Sequence, residues 1–174
     1  KLKDGTEIKG EYDMVLDGKV DDVKSASPWS YKNKFNTFET LAKSDSFGYV
    51  SQLVGYAEAA GLDVGGWWVV NKANGEFKYV DASSVEKDAV IENIEDTVGY
   101  INEDKPFKRC FEAIPETHFR KQTGNLKLGS ECGFCSFKHK CWPNLQTRTA
   151  VMSKAQNPPM VDYVLLSPEY AEAH

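Results

Sequence analysis

All four cysteines of the chain lie between residues 110 and 141, and the preceding 109 residues contain none. Three of them follow a C-x2-C-x5-C spacing and the fourth precedes this motif; they are Cys110, Cys132, Cys135 and Cys141. A C-x2-C turn lets two thiolates hold one metal centre, and four thiolates complete a tetrahedral Zn²⁺ site or an iron–sulfur cluster. The cysteines therefore predict a metal site. Two disulfides are the alternative, and His139 is a substitute for one thiolate in a zinc site.

Size and composition narrow the class of protein. The chain has 174 residues, which can bury a substantial core, and its 41% hydrophobic and 27% charged residues exclude a disordered chain. It contains no run of about 18 apolar residues, so no membrane partner is expected. Crowded cysteines in a domain of this size favour a reducing compartment, and we expect cytoplasmic localisation. Lys1 leads directly into a strand-like segment, which suggests that a native N-terminal portion is missing.

Charge is distributed unevenly along the chain. Residues 1–100 carry a net charge of −7, whereas residues 105–148 carry +6. An acidic half beside a basic segment suits a metal-dependent enzyme that acts on a polyanion. The alternative is a solvated surface that happens to be unevenly charged.

Two turn signals predict hairpins in the first half of the chain. Asp17-Gly18 separates strand-like residues 6–16 from residues 19–25, and Asn74-Gly75 separates residues 67–71 from residues 77–81. Gly65-Gly66 is expected to break the chain before the second hairpin.

Helical spacing of apolar residues predicts the remaining elements of this half. Residues 28–45 indicate a loop and then a short helix, and residues 46–60 a helix that ends at Gly61. The buried face of that helix is expected to contain Phe47, Val50, Val54 and Ala57. A further helix over residues 85–102 is expected to follow an N-cap at Ser84.

After Pro106 the sequence becomes rich in basic residues, proline, glycine and cysteine, and it shows little periodicity except for a strand over residues 160–166. We therefore predict an α/β core over residues 1–104, with a mixed sheet flanked by helices. A basic cysteine-cluster lobe and C-terminal tail over residues 105–174 are expected to pack on it. Thiolate ligation would supply the stability that this lobe cannot gain from apolar burial.

The first hairpin carries the residues with the clearest catalytic potential. Asp13 and Asp22 are placed on neighbouring strands, where two carboxylates can converge on a hard cation such as Mg²⁺. Lys24 leaves its strand on the same face as Asp22, and Val23 between them offers its backbone carbonyl. A lysine there can orient or deprotonate an attacking water, or offset charge on a phosphate. Ordinary solubilising surface around a turn is the alternative.

Gln52 and Tyr56 lie four residues apart on the helix over residues 46–60 and so share a face. The ordered set Gly-Glu-Tyr-Asp13, then Asp22-Val-Lys24-Ser-Ala-Ser, then Gln52-Leu-Val-Gly-Tyr56 resembles the RecB-like branch of the PD-(D/E)XK nuclease superfamily. The resemblance implies a restriction-endonuclease-like fold. It also implies metal binding by the two aspartates, a lysine that assists the water, and a Gln-x-x-x-Tyr helix that contacts nucleic acid and supports the site.

One motif of that family has no counterpart before Asp13. It is an acidic residue or histidine on an N-terminal helix, for which Glu7 and Glu11 are poor substitutes because they lie on the predicted strand. Either that helix belongs to a missing N-terminal portion, or this molecule lacks one metal ligand.

The segment Cys-Gly-Phe-Cys-Ser-Phe-Lys-His-Lys-Cys-Trp is similar to the cysteine clamp of iron–sulfur RecB-type nucleases, which favours a 4Fe–4S cluster over zinc. In those relatives the first cysteine lies upstream of the nuclease motifs. Here it would be Cys110, in a rearranged clamp such as we expect in phage-type relatives, or the true first ligand lies in the missing segment.

The basic lobe is expected to guide phosphates and bases of the substrate. Phosphates would contact Arg109, Lys121, Lys127, Lys138 and Lys140. Unpaired bases would stack on Trp29, Tyr31, Phe134 or Phe137, although packing within the protein is the alternative for each ring.

Taken together, the residue patterns and the family resemblance imply a Mg²⁺- or Mn²⁺-dependent deoxyribonuclease, an exonuclease of recombination or DNA end processing. Its substrate would be DNA that is single-stranded or has free ends, and a recombination protein or helicase would be a partner. One alternative is a non-catalytic nucleic-acid-binding module that keeps the nuclease fold. The other is an unrelated zinc-ribbon protein.

Overall fold

The computed structural model describes residues 1–103, 105–106 and 108–171. The end of the predicted tail, residues 172–174, and the predicted boundary residue 104 lie outside this range. The chain divides into two compact units, Lys1–Lys105 and Pro106–His174, and contains two four-stranded sheets together with helices. It is therefore a mixed α/β protein.

The sheet of the first unit has strand order β1-β2-β3-β4. Its strands are β1 (Met14–Leu16), β2 (Lys19–Ala26), β3 (Asp63–Asn71) and β4 (Phe77–Asp81). β1 and β4 each pair antiparallel with a central neighbour, whereas β2 and β3 run parallel. Both hairpins form where the sequence predicts them, and Asp17 and Gly18 both have positive φ, as a tight hairpin turn requires.

The first strand is shorter than the sequence predicts. Instead of extending from residue 6, β1 begins at Met14, so Asp13 lies just before the strand. The preceding chain passes over the α-helix that carries Tyr56: a Cβ added to Gly10 would lie 2.5 Å from Cε1 of that ring. Gly10 therefore permits a close approach that a continued strand against β2 would not make.

Four helices complete the described part of the first unit. They are α1 (Pro28–Asn33), α2 (Phe38–Lys43), α3 (Tyr49–Ala60) and α4 (Lys87–Asn102). Residues 28–45 thus form two short helices, capped by the side chains of Ser27 and Thr37, where the sequence predicts one. α3 ends at Gly61 as predicted, with φ of 66°.

Two details of the helix prediction are wrong. Phe47 lies before the first residue of α3 and is 54% exposed. The residues that α3 buries are Leu53, Val54 and Ala57. Ser84 caps nothing, since α4 begins three residues later with Glu86 at its N-cap position.

Gly65 and Gly66 do not break the chain but lie within β3. A Cβ on Gly65 would collide with the Asp21 carboxylate, and one on Gly66 would collide with the carbonyl oxygen of Val80. The glycines therefore allow close approach between neighbouring strands, a use of glycine in strands that local sequence does not distinguish from a turn.

The core of the first unit lies between the sheet and the helices. Trp67 and Val69 of β3 are fully buried against Leu53 and Val54 of α3 and Leu41 of α2, all in one apolar cluster. α3 packs on both β2 and β3, the two central strands. The same packing carries α3 across β2, where the predicted catalytic residues lie.

The second unit is also organised by a sheet, which the sequence predicts only in part. Its strands are β5 (Ile114–His118), β6 (Lys121–Lys127), β7 (Gln146–Thr149) and β8 (Met160–Leu165), in the order β5-β6-β8-β7. Three short helices accompany them, α5 (Ser130–Gly133), α6 (Lys138–Cys141) and α7 (Pro168–Ala171). Only β8 matches a predicted strand.

Buried polar side chains of the second sheet form a hydrogen-bond network. Glu116 accepts hydrogen bonds from the Tyr163 hydroxyl at 2.9 Å and from the Asn125 amide at 2.7 Å. All three side chains are buried. Polar residues thus occupy interior positions of these strands, which explains why the apolar pattern in the sequence is weak.

Candidate active site

Five residues named from the sequence occupy three adjoining elements of the first unit. Asp13 lies directly before β1, Asp22 and Lys24 lie on β2, and Gln52 and Tyr56 lie on α3. Asp22 and Lys24 pair in register with Trp67 and Val69, whose side chains belong to the buried core. Because paired residues of adjacent strands share a face, Asp22 and Lys24 leave the sheet on the side covered by α3.

Lys24 is held by one residue of its own strand, β2, and by one residue of α3. Its Nζ lies 2.7 Å from Oδ2 of Asp22 and donates a hydrogen bond of 3.0 Å to Oε1 of Gln52. The amide of Gln52 in turn donates to the hydroxyl of Tyr56 at 3.1 Å. This chain of contacts from Asp22 to Tyr56 fixes the direction of the ammonium group.

Asp13 contacts β2 at the backbone of Val23, which lies between Asp22 and Lys24. Its Oδ2 accepts a hydrogen bond of 2.7 Å from the N–H of Val23. The N–H and C=O of one residue in an extended strand point to the same edge, so the Val23 carbonyl faces the side where the Asp13 carboxylate lies.

Burial raises the pKa of Asp22; the Lys24 ammonium opposes this shift, and the neighbouring Asp13 carboxyl adds to it. A buried carboxyl whose pKa is raised by desolvation and by a second carboxyl beside it favours a bound cation.

The Asp22 carboxylate is buried next to the Lys24 ammonium. Its Oδ2 is inaccessible to solvent, and no donor among the described residues meets it with hydrogen-bond geometry, although Lys24 lies within ion-pair distance. No group of three or more His, Cys, Asp or Glu side chains in the described part of the chain is placed to hold a metal. Mg²⁺, however, is usually held by only one or two carboxylates with waters and substrate phosphates, so these two acids fit it.

Asp21, next to the predicted ligand, has a role that sequence reasoning missed. Its carboxylate accepts hydrogen bonds from the backbone N–H of Gly66 at 2.8 Å, the indole of Trp68 at 3.0 Å and the hydroxyl of Tyr79 at 2.9 Å. Two features of the sequence are related to this role. Consecutive aspartates on a strand point to opposite faces, and Gly65 leaves room for the Asp21 carboxylate.

The four cysteines are free thiols in the second unit. Cys132 lies on α5, Cys141 ends α6, and Cys135 lies in the turn between these helices, with its N–H bonded to the carbonyl of Cys132. Burial raises the pKa of the Cys132 thiol, and the neighbouring Cys135, Cys141 and Cys110 thiols raise it further.

Arg109 brings the first cysteine's segment to the last one. Its Nε donates a hydrogen bond of 2.9 Å to the carbonyl of Cys141, and its guanidinium lies 3.8 Å from the ring centre of Trp142. Cys110 follows directly in the chain, so its backbone is tied close to Cys141.

The predicted phosphate-contacting residues have different environments. Lys138 forms an ion pair of 2.6 Å with Asp162, and Arg109 is engaged with Cys141 and Trp142. Lys121 and Lys140 are exposed, and Lys127 is half-buried.

The predicted stacking rings differ as well. Trp29, Phe134 and Phe137 are exposed, whereas Tyr31 is half-buried with the Lys78 ammonium 4.4 Å from its ring centre. Solvent therefore reaches three of the four rings.

No family model matches the sequence, and no curated protein or solved structure matches it either. Within the described residues, no helix combines the length and apolar composition needed to span a membrane.

Proposed function

We propose that the first unit is a divalent-metal-dependent nuclease, acting on DNA, with the restriction-endonuclease-like arrangement that the sequence motifs imply. The observation that carries the proposal is the convergence of Asp13, Asp22 and Lys24 beside the Gln52–Tyr56 pair, through contacts of 2.7 to 3.1 Å. These residues come from three separate stretches of the chain, and each has the chemical type that phosphodiester hydrolysis requires.

Asp13, Asp22 and the Val23 carbonyl would hold Mg²⁺ or Mn²⁺. When bound, such a cation polarises the scissile phosphate and lowers the pKa of a coordinated water. Lys24 would then orient or deprotonate the attacking water, or offset the negative charge that develops on the phosphate. Gln52 holds the Lys24 ammonium in place, and Tyr56 holds the Gln52 amide.

The raised pKa of Asp22 suits this arrangement. A carboxylate that pays a desolvation penalty when it is ionised gains most from a nearby positive charge. In the absence of a cation Lys24 supplies that charge. With Mg²⁺ or Mn²⁺ held by the carboxylates, Lys24 would be free to face the substrate.

The test is cleavage of labelled linear and single-stranded DNA with Mg²⁺ or Mn²⁺. The Lys24→Ala variant should lose cleavage by about 10²-fold or more, since a positioned proton-transfer group contributes about 10²- to 10⁴-fold. Chelation with EDTA should stop cleavage by the unchanged protein.

The matched control is Lys19→Ala, at the start of the same strand and away from the carboxylates. It should cleave at the rate of the unchanged protein. Full cleavage by Lys24→Ala would refute the assigned role of the lysine. DNA binding without cleavage by the unchanged protein would favour the non-catalytic module.

For the second unit we propose that Cys110, Cys132, Cys135 and Cys141 hold a 4Fe–4S cluster, with Zn²⁺ as the alternative. The Arg109 contacts tie the Cys110 segment to Cys141 and so support the proposal, although no three of the described thiols stand in metal-binding positions in this structure. Its role would be structural, because the unit's interior depends on a polar network rather than a large apolar cluster.

A further inference from the structure

We infer that Lys34, Phe47 and Tyr49 form a subsite for single-stranded nucleic acid beside the catalytic lysine, here called the aromatic–lysine subsite. The inference rests on the proposed nuclease function and adds to it the substrate's strandedness and a binding position that the motifs do not include.

The subsite is continuous with the candidate active site. The ring of Tyr49 has the Lys24 ammonium 5.1 Å from its centre and the Lys34 ammonium 4.9 Å from it. Lys34 is also 5.1 Å from the ring centre of Phe47, and the Phe47 and Tyr49 rings are 6.0 Å apart. One aromatic pair therefore connects the catalytic lysine to a second cation.

The local structure holds these rings in place. Asp45 accepts hydrogen bonds from the N–H groups of Tyr49 at 2.9 Å and Val50 at 2.8 Å, which fixes the first turn of α3. Gly48 has φ of 73°, so the chain turns immediately before α3 and leaves Phe47 outside the helix. The Tyr49 ring also packs on the buried ring of Phe35, with 5.8 Å between the two ring centres. Phe47 is thus an exposed ring on a rigid support.

Lys34 provides a positive charge for a ligand. Among the described residues no carboxylate forms an ion pair with it, in contrast to Lys24, which pairs with Asp22. The two ammonium groups are 4.9 Å and 5.1 Å from the same ring centre, so their separation cannot exceed the sum of those distances. A stacked strand carries one phosphate per ~3.4 Å, so these lysines can reach phosphates about one to three nucleotides apart.

The exposed ring decides which form of nucleic acid fits. With a phosphate at Lys34, the base of an adjacent nucleotide can stack on Phe47, and this contact does not require Lys24 to leave Asp22. Such stacking requires an unpaired base, because base pairs in a duplex are already stacked on their neighbours. The subsite therefore favours a single strand over a duplex.

The experiment measures binding in EDTA, so that it does not depend on cleavage. Fluorescein-labelled oligothymidylate and a hairpin duplex of equal length are titrated with the full chain, and fluorescence anisotropy is recorded. Phe47→Ala should weaken single-strand binding by about 5- to 100-fold and leave duplex binding unchanged. Phe47→Tyr should restore it. Lys34→Ala should reduce the slope of log affinity against log salt by about 0.7.

Phe77→Ala and Lys32→Ala are the matched controls. Phe77 is an exposed ring that pairs in register with Val70, on the sheet face opposite Lys24, and Lys32 is exposed on α1. Both should bind like the unchanged protein. Phe47→Leu keeps an apolar side chain without a ring, so a loss that it shares with Phe47→Ala arises from stacking rather than misfolding.

Equal losses for single strand and duplex, or no loss, would overturn the inference. Because no metal is present, absence of nuclease activity would leave this binding result unaffected. Cleavage that depends on Lys24 but not on Phe47 or Lys34 would support the nuclease and refute the subsite.

Discussion

At the scale of single residues, two consecutive aspartates on β2 have different tasks. Asp21 accepts three hydrogen bonds and is 2% exposed, so its carboxylate is fully used by the fold. Burial raises the pKa of its Tyr79 partner, and the hydrogen bond to Asp21 raises it further, so this hydroxyl remains a donor. Asp22 is 3% exposed, and its Oδ2 lies 2.7 Å from the Lys24 ammonium of the candidate site. Alternation of side chains along the strand explains the division.

The first residue-scale prediction concerns Asp21. Asp21→Ala leaves the Gly66 N–H, the Trp68 indole and the Tyr79 hydroxyl without their acceptor. We expect the free energy of unfolding to fall by about 3 kcal/mol, measured in urea. Tyr79→Phe removes one of these bonds and should cost about 1 kcal/mol. Equal losses in the two variants would show that the Asp21 network is not what holds β2 to β3 and β4.

The second residue-scale prediction concerns Asp162 in the second unit. Burial alone raises the pKa of Asp162, but the Lys138 ammonium and the Thr147 hydroxyl outweigh burial and hold it below its ordinary value. Because a lowered folded pKa means that the unfolded chain binds the proton more readily, this carboxyl stabilises the fold above about pH 4. That contribution is lost as the pH falls through the lower folded pKa.

The measurement compares the unchanged protein with Asp162→Asn in urea from about pH 6 down to about pH 2. The unchanged protein should be the more stable at the upper end, and the difference should shrink toward the lower end. A difference that is constant with pH would contradict a role for the ionised carboxylate.

At the scale of elements, strand β3 shows how a glycine pair can serve a sheet. Gly65 and Gly66 sit where a Cβ would meet the Asp21 carboxylate or the Val80 carbonyl. The strand continues through them because β4 supplies backbone partners: Asp81 pairs with Gly66, and the Ala82 N–H bonds to the Gly65 carbonyl. The pairing with β2 shifts register at this point. Helix α4 contains Gly99, around which no atom would meet an added Cβ within 4 Å.

These two glycines should respond oppositely to alanine. Gly65→Ala inserts a methyl group into occupied space and should lower the free energy of unfolding by at least about 2 kcal/mol. Gly99→Ala adds only helix propensity and should raise it by about 0.5 to 1 kcal/mol. Thermal and urea unfolding of the two variants check the prediction, which a loss of stability in Gly99→Ala would contradict.

At the scale of the whole molecule, the two units are stabilised by different means. The first has an apolar cluster between a mixed sheet and its helices. The second buries Glu116, Asn125 and Tyr163, with few large apolar residues such as Leu128 and Leu166. We therefore expect the second unit to be the one that needs its proposed metal.

Metal removal tests this difference. If a 4Fe–4S cluster is bound, the purified protein should contain iron and sulfide and absorb at about 400 nm. If Zn²⁺ is bound instead, it should contain zinc. After chelation, hydrogen exchange followed by mass spectrometry should show loss of protection concentrated in residues 106–171, because metal binding energy contributes directly to folding. Cys132→Ser should reproduce the effect without chelator. Unchanged protection in both cases would refute a structural metal.

Local sequence determined much of this molecule. The Asp17-Gly18 and Asn74-Gly75 turns, the end of α3 at Gly61 and strand β8 were all predictable, because each depends on backbone preferences or side-chain periodicity within a few residues. The choice of Asp13, Asp22, Lys24, Gln52 and Tyr56 as a set came from the resemblance to a nuclease family. In the structure Asp22, Lys24, Gln52 and Tyr56 form one chain of contacts, and Asp13 bonds to the backbone of Val23 between Asp22 and Lys24.

Tertiary structure alone decided the rest. Gly10 lies against Tyr56 in the stretch that precedes the shortened first strand, and Gly65 lies against the Asp21 carboxylate. The exposure of Phe47 follows from where α3 begins, and the second sheet is built around a buried Glu116 that carries no apolar signal. In each case the deciding partner is distant in the chain or polar, and local patterns record neither long-range approach nor the burial of satisfied polar groups.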